Sequence, residues 1–181
     1  AGTGTASVAG IGTSVEIGAL TIGSAENGGI TLNGAIVTDG AVTFDGPVSL
    51  ATGAVSVTTG DNALTFNHTI DGGQALTLVS GTAATKVQGV IGGTTAITSL
   101  TATNGTAAGT IEVANIGGTA AGTTGAVALG NTNTATITLD GTAYHTGGAQ
   151  TYIAAAGQNI DITGAATFTT TNDNVGFATA G

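Results

Sequence analysis

The sequence predicts an all-β protein folded as a β-solenoid, in which short strands wind into stacked coils. Three observations predict this fold. First, 38 Thr, 33 Gly and 32 Ala supply most of the 181 residues, so side chains are small and β-branched Thr is abundant. Second, apolar residues alternate with polar ones between Ile30 and Gly60, which is typical of strands with one buried face. Third, no segment carries an apolar stripe at helical spacing.

The stretch from Ile30 to Gly60 reads as ITLNG, AIVTDG, AVTFDG, PVSLATG and AVSVTTG, so each segment ends in Gly. Asn-Gly and Asp-Gly endings favour sharp corners, because Gly tolerates positive φ. The apolar positions of the alternating segments are the expected core. They are Ile30, Leu32, Val42, Phe44, Val48, Leu50, Val55 and Val57.

Corners this frequent leave only about three to five residues for each strand, whereas a β-sandwich usually spaces its turns about 8–12 residues apart. We therefore expect about three strands in each coil, about 20 residues per coil and about nine coils. An antiparallel β-sandwich, completed by a donor strand from a neighbouring copy, is the architectural alternative.

Three parts of the chain are distinguished. Residues 1–12 are expected to form a flexible lead-in or an atypical first coil, residues 13–171 the solenoid, and residues 172–181 a terminal loop and fraying strand. Further strands are predicted at Ala63–Phe66, Gln74–Val79, Ala96–Thr103, Thr110–Val113, Ala126–Leu129, Thr134–Leu139, Gln150–Ile153, Asn159–Thr163 and Ala166–Thr170.

Charge excludes several classes of function. The chain has one Lys or Arg against ten Asp and Glu, for a net charge of −9. One cation cannot neutralise a nucleic-acid backbone, so no nucleic-acid partner is expected. Two His and no Cys are too few for a structural zinc site. No apolar run is long enough for a transmembrane helix.

No enzyme activity, catalytic residue or cofactor is expected. Asp39, Asp45, Asp71 and Asp140 each precede Gly, and an Asp that caps its own turn explains this pattern. A glycosidase would instead need two carboxylates set across a sugar bond.

The polar residues give weak metal candidates. Asp161, Asp173 and Asn174 lie in oxygen-rich segments that suit calcium, although the calcium-binding β-roll repeat is missing. His68 and His145 are far apart in sequence and are expected to be surface or turn residues. Lys86 is expected to be a solvated strand residue, with an isopeptide bond to Asn as the alternative.

Two surface features suggest a binding module as an alternative function. Tyr144 and Tyr152 are the aromatic residues expected to be exposed, where they would stack on sugars. Thr132–Thr138 carries Thr at alternate positions, as a flat ice-binding face would. The remaining aromatics Phe44, Phe66 and Phe168 occupy apolar positions and are expected in the core.

The segments TIDGGQALTLVSG (69–81), IGGTTAITSLTAT (91–103) and ITLDGTAYHTGGAQTY (137–152) together resemble the repeats of filamentous-haemagglutinin-type bacterial exoproteins. The resemblance covers about half of the chain. It implies a right-handed parallel β-helix displayed outside the cell, with a role in adhesion or surface structure. The secretion-domain signature of that family is not found in this sequence.

These observations lead to one functional expectation. The chain is expected to be a non-catalytic extracellular or cell-surface protein, either a subunit or a repeat segment of a fibre or adhesin. Because the open ends of a solenoid expose unpaired strands, its expected partners are further copies joined end to end, or neighbouring repeats. A host surface or a glycan is a further expected partner.

Overall fold

The computed structural model describes residues 4–23 and 28–181, and this part of the chain contains twenty short strands and no helix. The strands are β1 (Ala6–Val8), β2 (Leu20–Ile22), β3 (Ile30–Leu32), β4 (Ala35–Val37), β5 (Val42–Phe44), β6 (Val48–Leu50), β7 (Val55–Thr58), β8 (Leu64–Phe66), β9 (Ile70–Asp71), β10 (Ala75–Val79), β11 (Ala84–Val87), β12 (Ser99–Thr103), β13 (Thr110–Val113), β14 (Val127–Gly130), β15 (Thr136–Leu139), β16 (Ala143–Thr146), β17 (Gln150–Ala154), β18 (Asn159–Ile162), β19 (Thr167–Thr170) and β20 (Val175–Thr179).

The strands form three faces in which every pairing is parallel and joins one coil to the next. Face 1 contains β1, β3, β6, β9, β16 and β19, and single bridges at Ile91 and Ile116 connect β9 to β16. Face 2 contains β4, β7, β10, β12, β14, β17 and β20, and Ile11 bridges to β4. Face 3 contains β2, β5, β8, β11, β13, β15 and β18.

The fold is therefore a parallel β-solenoid, as predicted, and the antiparallel sandwich is excluded. It has about 7 turns of roughly 23 residues, fewer and longer coils than expected. Coil length varies because corners differ: the step from Ile30 to Val48 on face 1 takes 18 residues, and the step from Ile116 to Tyr144 takes 28. The right-handed winding stays a prediction.

The interior is built from columns of side chains that lie directly above one another on successive coils. On face 3, Phe44 pairs with Phe66, and their rings stack at 4.5 Å and 20°. This direct stacking of side chains from coil to coil keeps the interior closely packed. The eight residues expected in the core are all buried, namely Ile30, Leu32, Val42, Phe44, Val48, Leu50, Val55 and Val57.

The corners require Gly for two different reasons, a positive φ at some corners and close contact with the preceding coil at others. Gly72 has a φ of 117°, a conformation that other residues rarely adopt, so its corner fits the predicted use of Gly. Gly40, Gly46 and Gly141 do not have positive φ; a Cβ at any of them would lie 2.3–2.4 Å from an atom of the preceding coil. At these three Asp-Gly corners the predicted reason was wrong, because close stacking of the coils, and not φ, requires Gly.

Both ends of the described chain contribute strands. β1 pairs with β3, so a first coil begins within residues 1–12, although Ala1–Thr3 lie outside the described residues. β20 pairs with β17 over five residues, so the strand expected within residues 172–181 continues the solenoid, and its residues are all exposed. No helix in residues 4–23 and 28–181 is long and apolar enough to cross a membrane.

Candidate functional site

The last coil, formed by β18, β19 and β20, leaves its apolar interior uncovered. Ile162 is 45% exposed, Val175 36% and Phe177 46%, although each lies in a column whose earlier members are buried. Among the described residues, the other large apolar side chain that is exposed to this degree is Val15, near the opposite end. Exposed apolar surface of this kind is typical of interaction sites.

Four aromatic rings underlie this open end. Tyr144 stacks on Phe168 at 5.0 Å, and Tyr152 stacks on Phe177 at 4.8 Å. Phe168 and Phe177 meet edge to face at 5.2 Å. Each stacked pair consists of one ring from β16 or β17 and one from the last coil, so the aromatic cluster holds the last coil onto the rod.

The polar ends of the tyrosines are satisfied inside the solenoid. The Tyr144 hydroxyl donates to the carbonyl of Val113 at 3.0 Å and accepts from the amide of Gly141 at 2.8 Å. The Tyr152 hydroxyl donates to Gln150 Oε1 at 2.9 Å. Gln150 Nε2 in turn donates to the carbonyl of Thr169 at 2.9 Å, which joins the last two coils.

Burial keeps both phenols protonated. Removal from water raises the pKa of Tyr144 to about 12; the Gly141 hydrogen bond lowers it and the charge of Asp140 raises it further. Burial also raises the pKa of Tyr152 well above its ordinary value, with a smaller contribution from Tyr144. These groups therefore serve the structure in their neutral form.

The structure contradicts the predicted surface roles of the tyrosines. Tyr144 and Tyr152 are buried and cannot stack on a sugar from solution. The Thr132–Thr138 segment is not a flat row either, because Thr134 is buried and its hydroxyl accepts from the Asn131 amide at 3.0 Å. Outward hydroxyl side chains do align on face 2, where Ser56, Thr77 and Thr101 lie in one column. The alternative of a binding module stays a prediction.

Carboxylates and amides at the corners bond to the next coil. Asp71 Oδ1 accepts hydrogen bonds from the amides of Thr94 and Thr95, at 2.8 and 2.9 Å. Asn115 Oδ1 likewise accepts hydrogen bonds from the backbone amides of Thr142 and Ala143, at 2.7 and 3.1 Å. The two side chains thus cap the corner of the following coil and hold successive coils in register.

Other corner carboxylates follow this rule. Asp45 Oδ1 accepts from Asn67 Nδ2 at 2.8 Å, Asp61 Oδ1 from the Thr82 amide at 3.1 Å, and Asp140 Oδ1 from the Thr163 hydroxyl at 2.6 Å. At Asp39, the backbone carbonyl accepts from Asn62 Nδ2 at 2.9 Å. The prediction that Asp caps its own turn is corrected, because at Asp45, Asp71 and Asp140 the carboxylate bonds a residue of the next coil.

Lys86 forms an ion pair across two coils. Its Nζ lies 2.9 Å from Glu112 Oε1, and the two residues are direct register partners of β11 and β13. Both side chains are partly exposed, so this pair contributes about 0–1 kcal/mol. Lys86 is thus a strand residue at the surface, paired with a carboxylate rather than with Asn.

The two histidines are not brought together. On face 1, His68 precedes β9 and His145 lies on β16, with the levels of Ile91 and Ile116 between them. His145 Nδ1 instead contacts the carbonyl of Gly118 at 3.3 Å.

The calcium candidates Asp161, Asp173 and Asn174 are all exposed. The carbonyl of Asp173 accepts from the Thr170 hydroxyl at 2.5 Å, and that of Asn174 accepts from the Gln150 amide at 2.9 Å. Residues 4–23 and 28–181 contain no group of three or more His, Cys, Asp or Glu placed to hold a metal ion, and no cleft or enclosed pocket.

Sequence reasoning missed a polar layer inside one corner. Ser80 and Asn104 are buried, and Asn104 Nδ2 donates to Ser80 Oγ at 3.2 Å and to the carbonyls of Gly81 and Ala83 at 3.1 and 3.3 Å. Asn104 Oδ1 is buried without a protein partner. The available signal was the polar residue directly after the face 2 strands β4, β7, β10 and β12, which is Thr38, Thr59, Ser80 and Asn104 in turn.

Comparisons with family models, curated proteins and solved structures yield no match to this chain. The resemblance to filamentous-haemagglutinin-type repeats therefore stays a prediction.

Proposed function

We propose that this chain is a non-catalytic structural and adhesive element outside the cell, a subunit or repeat segment of a cell-surface fibre or adhesin, and that copies join end to end. The absence of Cys fits an oxidising exterior, where a free thiol would be a liability. The continuous parallel pairing of coils gives a stiff rod with little side-chain mass, which suits a fibre.

The observation that carries the proposal is the open last coil. Ile162, Val175 and Phe177 are each about half exposed or somewhat less, and the strands that carry them have one unpaired edge. Covering these side chains would contribute on the order of 1 kcal/mol for each of them. A further copy would also supply hydrogen bonds to the free strand edges.

The first coil offers a complementary surface. Its inward residues Ala6, Val8 and Ile11 are partly buried and pack against the core from the opposite end of the rod. If a second copy continues faces 1 and 2, the small Ala6 follows the large Phe168 and Ile11 follows Phe177. Small residues opposite large ones allow close packing.

The net negative charge of the chain should make end-to-end association depend on salt concentration. The net charge of −9 on each copy opposes association through long-range repulsion, while the end-to-end contact itself is apolar. Salt screens this repulsion, with a Debye length of about 8 Å at physiological ionic strength. End-to-end association should therefore strengthen as salt increases.

Electron microscopy of the purified protein over a range of concentrations tests the proposal, together with sedimentation velocity. We expect unbranched filaments one rod wide, and their loss in Phe177→Asp. Thr77→Asp adds the same charge on the outer surface of face 2 in mid-rod and should leave the filaments intact. Single short rods at every concentration and salt, with both variants like the parent, would overturn end-to-end assembly.

A further inference from the structure

Two Asn-Gly pairs lie wholly within residues 4–23 and 28–181, and they differ in how far the Asn side chain is exposed to water. One pair is Asn33-Gly34, directly after β3, and the other is Asn104-Gly105, directly after β12. Asn33 is partly exposed, whereas Asn104 is fully buried. In the pair Asn27-Gly28, Asn27 lies outside the described residues.

An Asn-Gly pair can react with itself, because Gly has no Cβ to hinder its own backbone nitrogen. That nitrogen attacks Cγ of the Asn side chain. The new C–N bond closes a cyclic imide, the bond from Cγ to Nδ2 breaks, and ammonia leaves with the proton of the backbone amide. Water then opens the imide at either carbonyl. One product is Asp, and the other is isoaspartate, whose backbone is longer by one methylene group.

The surroundings of Asn104 oppose this reaction. Its Nδ2, the leaving group, donates to Ser80 Oγ at 3.2 Å and to the carbonyls of Gly81 and Ala83 at 3.1 and 3.3 Å. The side chain is also closed to the water that the second step requires. Deamidation of Asn104 therefore requires the corner to open first, which lowers its rate by the population of the open state.

Asn33 is held only by contacts that water can replace. Its Nδ2 donates to Ser7 Oγ at 3.1 Å, and its Oδ1 accepts from Thr52 Oγ1 at 3.2 Å, both at the surface. The backbone amides of Gly34 and Gly105 both lack a hydrogen-bond acceptor among the described residues. The two pairs thus have equally free backbone nitrogens, and the difference between them lies in the Asn side chain.

The bond between Asn33 and Gly34 lies between two backbone hydrogen bonds that hold the first coil. The Asn33 amide donates to the Val8 carbonyl at 2.8 Å, and the Ile11 amide donates to the Ala35 carbonyl at 2.9 Å. An added methylene group between Asn33 and Ala35 would change their spacing, while the spacing of Val8 and Ile11 stayed the same. The first coil could then no longer keep both hydrogen bonds.

We propose that Asn33 is a site of spontaneous deamidation, and that the isoaspartate formed there loosens the first coil, β1 and Ile11, from the second. Water is the only reactant besides the chain, and ammonia is released. The proposal is independent of end-to-end assembly, because Asn33 contacts Ser7 of the coil before it and Thr52 of the coil after it.

Incubation of the full chain in mildly alkaline buffer, folded and in urea, tests the site. Deamidation at each Asn is followed by mass spectrometry of peptides from the unfolded, digested samples. In urea the two pairs should react at similar rates, since they are the same dipeptide. In the folded protein Asn33 should react at least about tenfold faster than Asn104. Equal rates in the folded protein, or an unreacted Asn33 after the urea sample has fully reacted, would overturn the site.

Two variants separate the chemistry from its structural effect. Gly34→Ala should fold, because Gly34 has no positive φ and a Cβ there would lie 3.6 Å from the nearest atom, the Gly10 nitrogen. Its Cβ hinders the attack, so Asn33 should react at least severalfold more slowly. Asn33→Asp carries the charge of the product without the added methylene group.

Hydrogen exchange of the Ile11 amide measures the loosening of the first coil. Exchange should be at least about tenfold faster in the aged parent than in the fresh parent. It should be unchanged in Asn33→Asp and in Gly34→Ala aged for the same time. Equal exchange in the fresh and aged parent would overturn the loosening. An Asn33→Asp variant that exchanges as fast as the aged parent would overturn the role of the longer backbone and assign the effect to charge.

Discussion

At the scale of single residues, the corner side chains explain how a chain without disulfides keeps its coils in register. Asp71 and Asn115 each hold two amides of the following corner. The same geometry occurs with a carboxylate in one coil and a side-chain amide in another, so the contact needs an acceptor oxygen but not a charge. The surplus of carboxylates is thus partly structural.

This equivalence predicts the effect of replacing Asp71. Asp71→Ala removes the acceptor for the Thr94 and Thr95 amides and should destabilise the fold by about 1 kcal/mol, since the freed amides can bond to water. Asp71→Asn keeps an acceptor oxygen, as Asn115 does, and should be close to the parent. Thermal unfolding followed by circular dichroism compares the two, and equal losses for Ala and Asn would contradict a role for the acceptor.

The buried phenols predict a loss of stability at alkaline pH. The pKa of Tyr144 is raised to about 12 from an unfolded value of 10.0, so between these values the folded state retains a proton that the unfolded state loses. Stability is therefore full below pH 10 and falls as pH increases towards 12, by on the order of 1 kcal/mol per pH unit. The raised pKa of Tyr152 acts in the same direction.

Urea unfolding at pH 9 and pH 11 measures this fall. Tyr144→Phe should be less stable at pH 9, because it loses the hydrogen bonds to Val113 and Gly141, but its stability should fall less steeply with pH. A slope unchanged by this substitution would show that Tyr144 does not titrate as its burial requires.

At the scale of strands, period-two alternation determines which side chains face inward. β7 has the burial pattern of alternating buried and half-buried residues, with Val55 and Val57 inside and Ser56 and Thr58 outside. The apolar positions that predicted this strand from the sequence are therefore the positions that face the interior of the solenoid. The same polar substitution is therefore expected to prevent folding at an inward position and to be tolerated at the next position along the strand.

Val57→Asp should prevent folding, because it places an unpaired carboxylate in the dry interior at a cost above about 4 kcal/mol. Ser56→Asp introduces the same side chain one position away and should fold. Circular dichroism and resistance to protease compare the pair. Normal folding of Val57→Asp would contradict the inward assignment of β7.

Much of the strand arrangement could be predicted from sequence, but the outward and inward Thr residues could not be separated. β5, β7 and β13 show clear apolar alternation, and their positions follow from it. In β16, the sequence AYHT carries a buried Tyr144 and a buried Thr146, so polarity concealed the inner face. Thr is polar and also favours strands, so the local sequence does not distinguish an inward Thr from an outward one. Which way its side chain faces depends on the register between coils.

The candidate site was harder to predict for a different reason. Ile160 and Ile162 lie in a predicted strand and Phe177 in the expected terminal segment, but the exposure of all three depends on which coil is last on each face. That depends on the full count of levels, hence on variable coil lengths such as the 28-residue step from Ile116 to Tyr144. The buried tyrosines were misplaced for a different reason, because the segment GGAQ (147–150) between them suggested an exposed loop.

At the scale of the whole molecule, about 7 turns form a solenoid whose last described coil exposes apolar side chains, and the chain carries a net charge of −9. Repulsion between like charges and attraction between apolar ends act at different ranges. Raising NaCl from about 0.02 to 0.5 M shortens the Debye length severalfold. The concentration needed for assembly should therefore decrease, as measured by sedimentation; an increase would indicate that ion pairs hold the joint.

The most direct test of end-to-end assembly is the axial repeat of the filaments, measured by helical reconstruction from electron cryomicroscopy. Eight levels on faces 1 and 2, at about 4.8 Å for each level, predict one copy for about every 38 Å, with strands across the axis and all copies pointing the same way. Copies that meet through identical ends, strands that run along the axis, or a failure to form filaments at any salt concentration would contradict it.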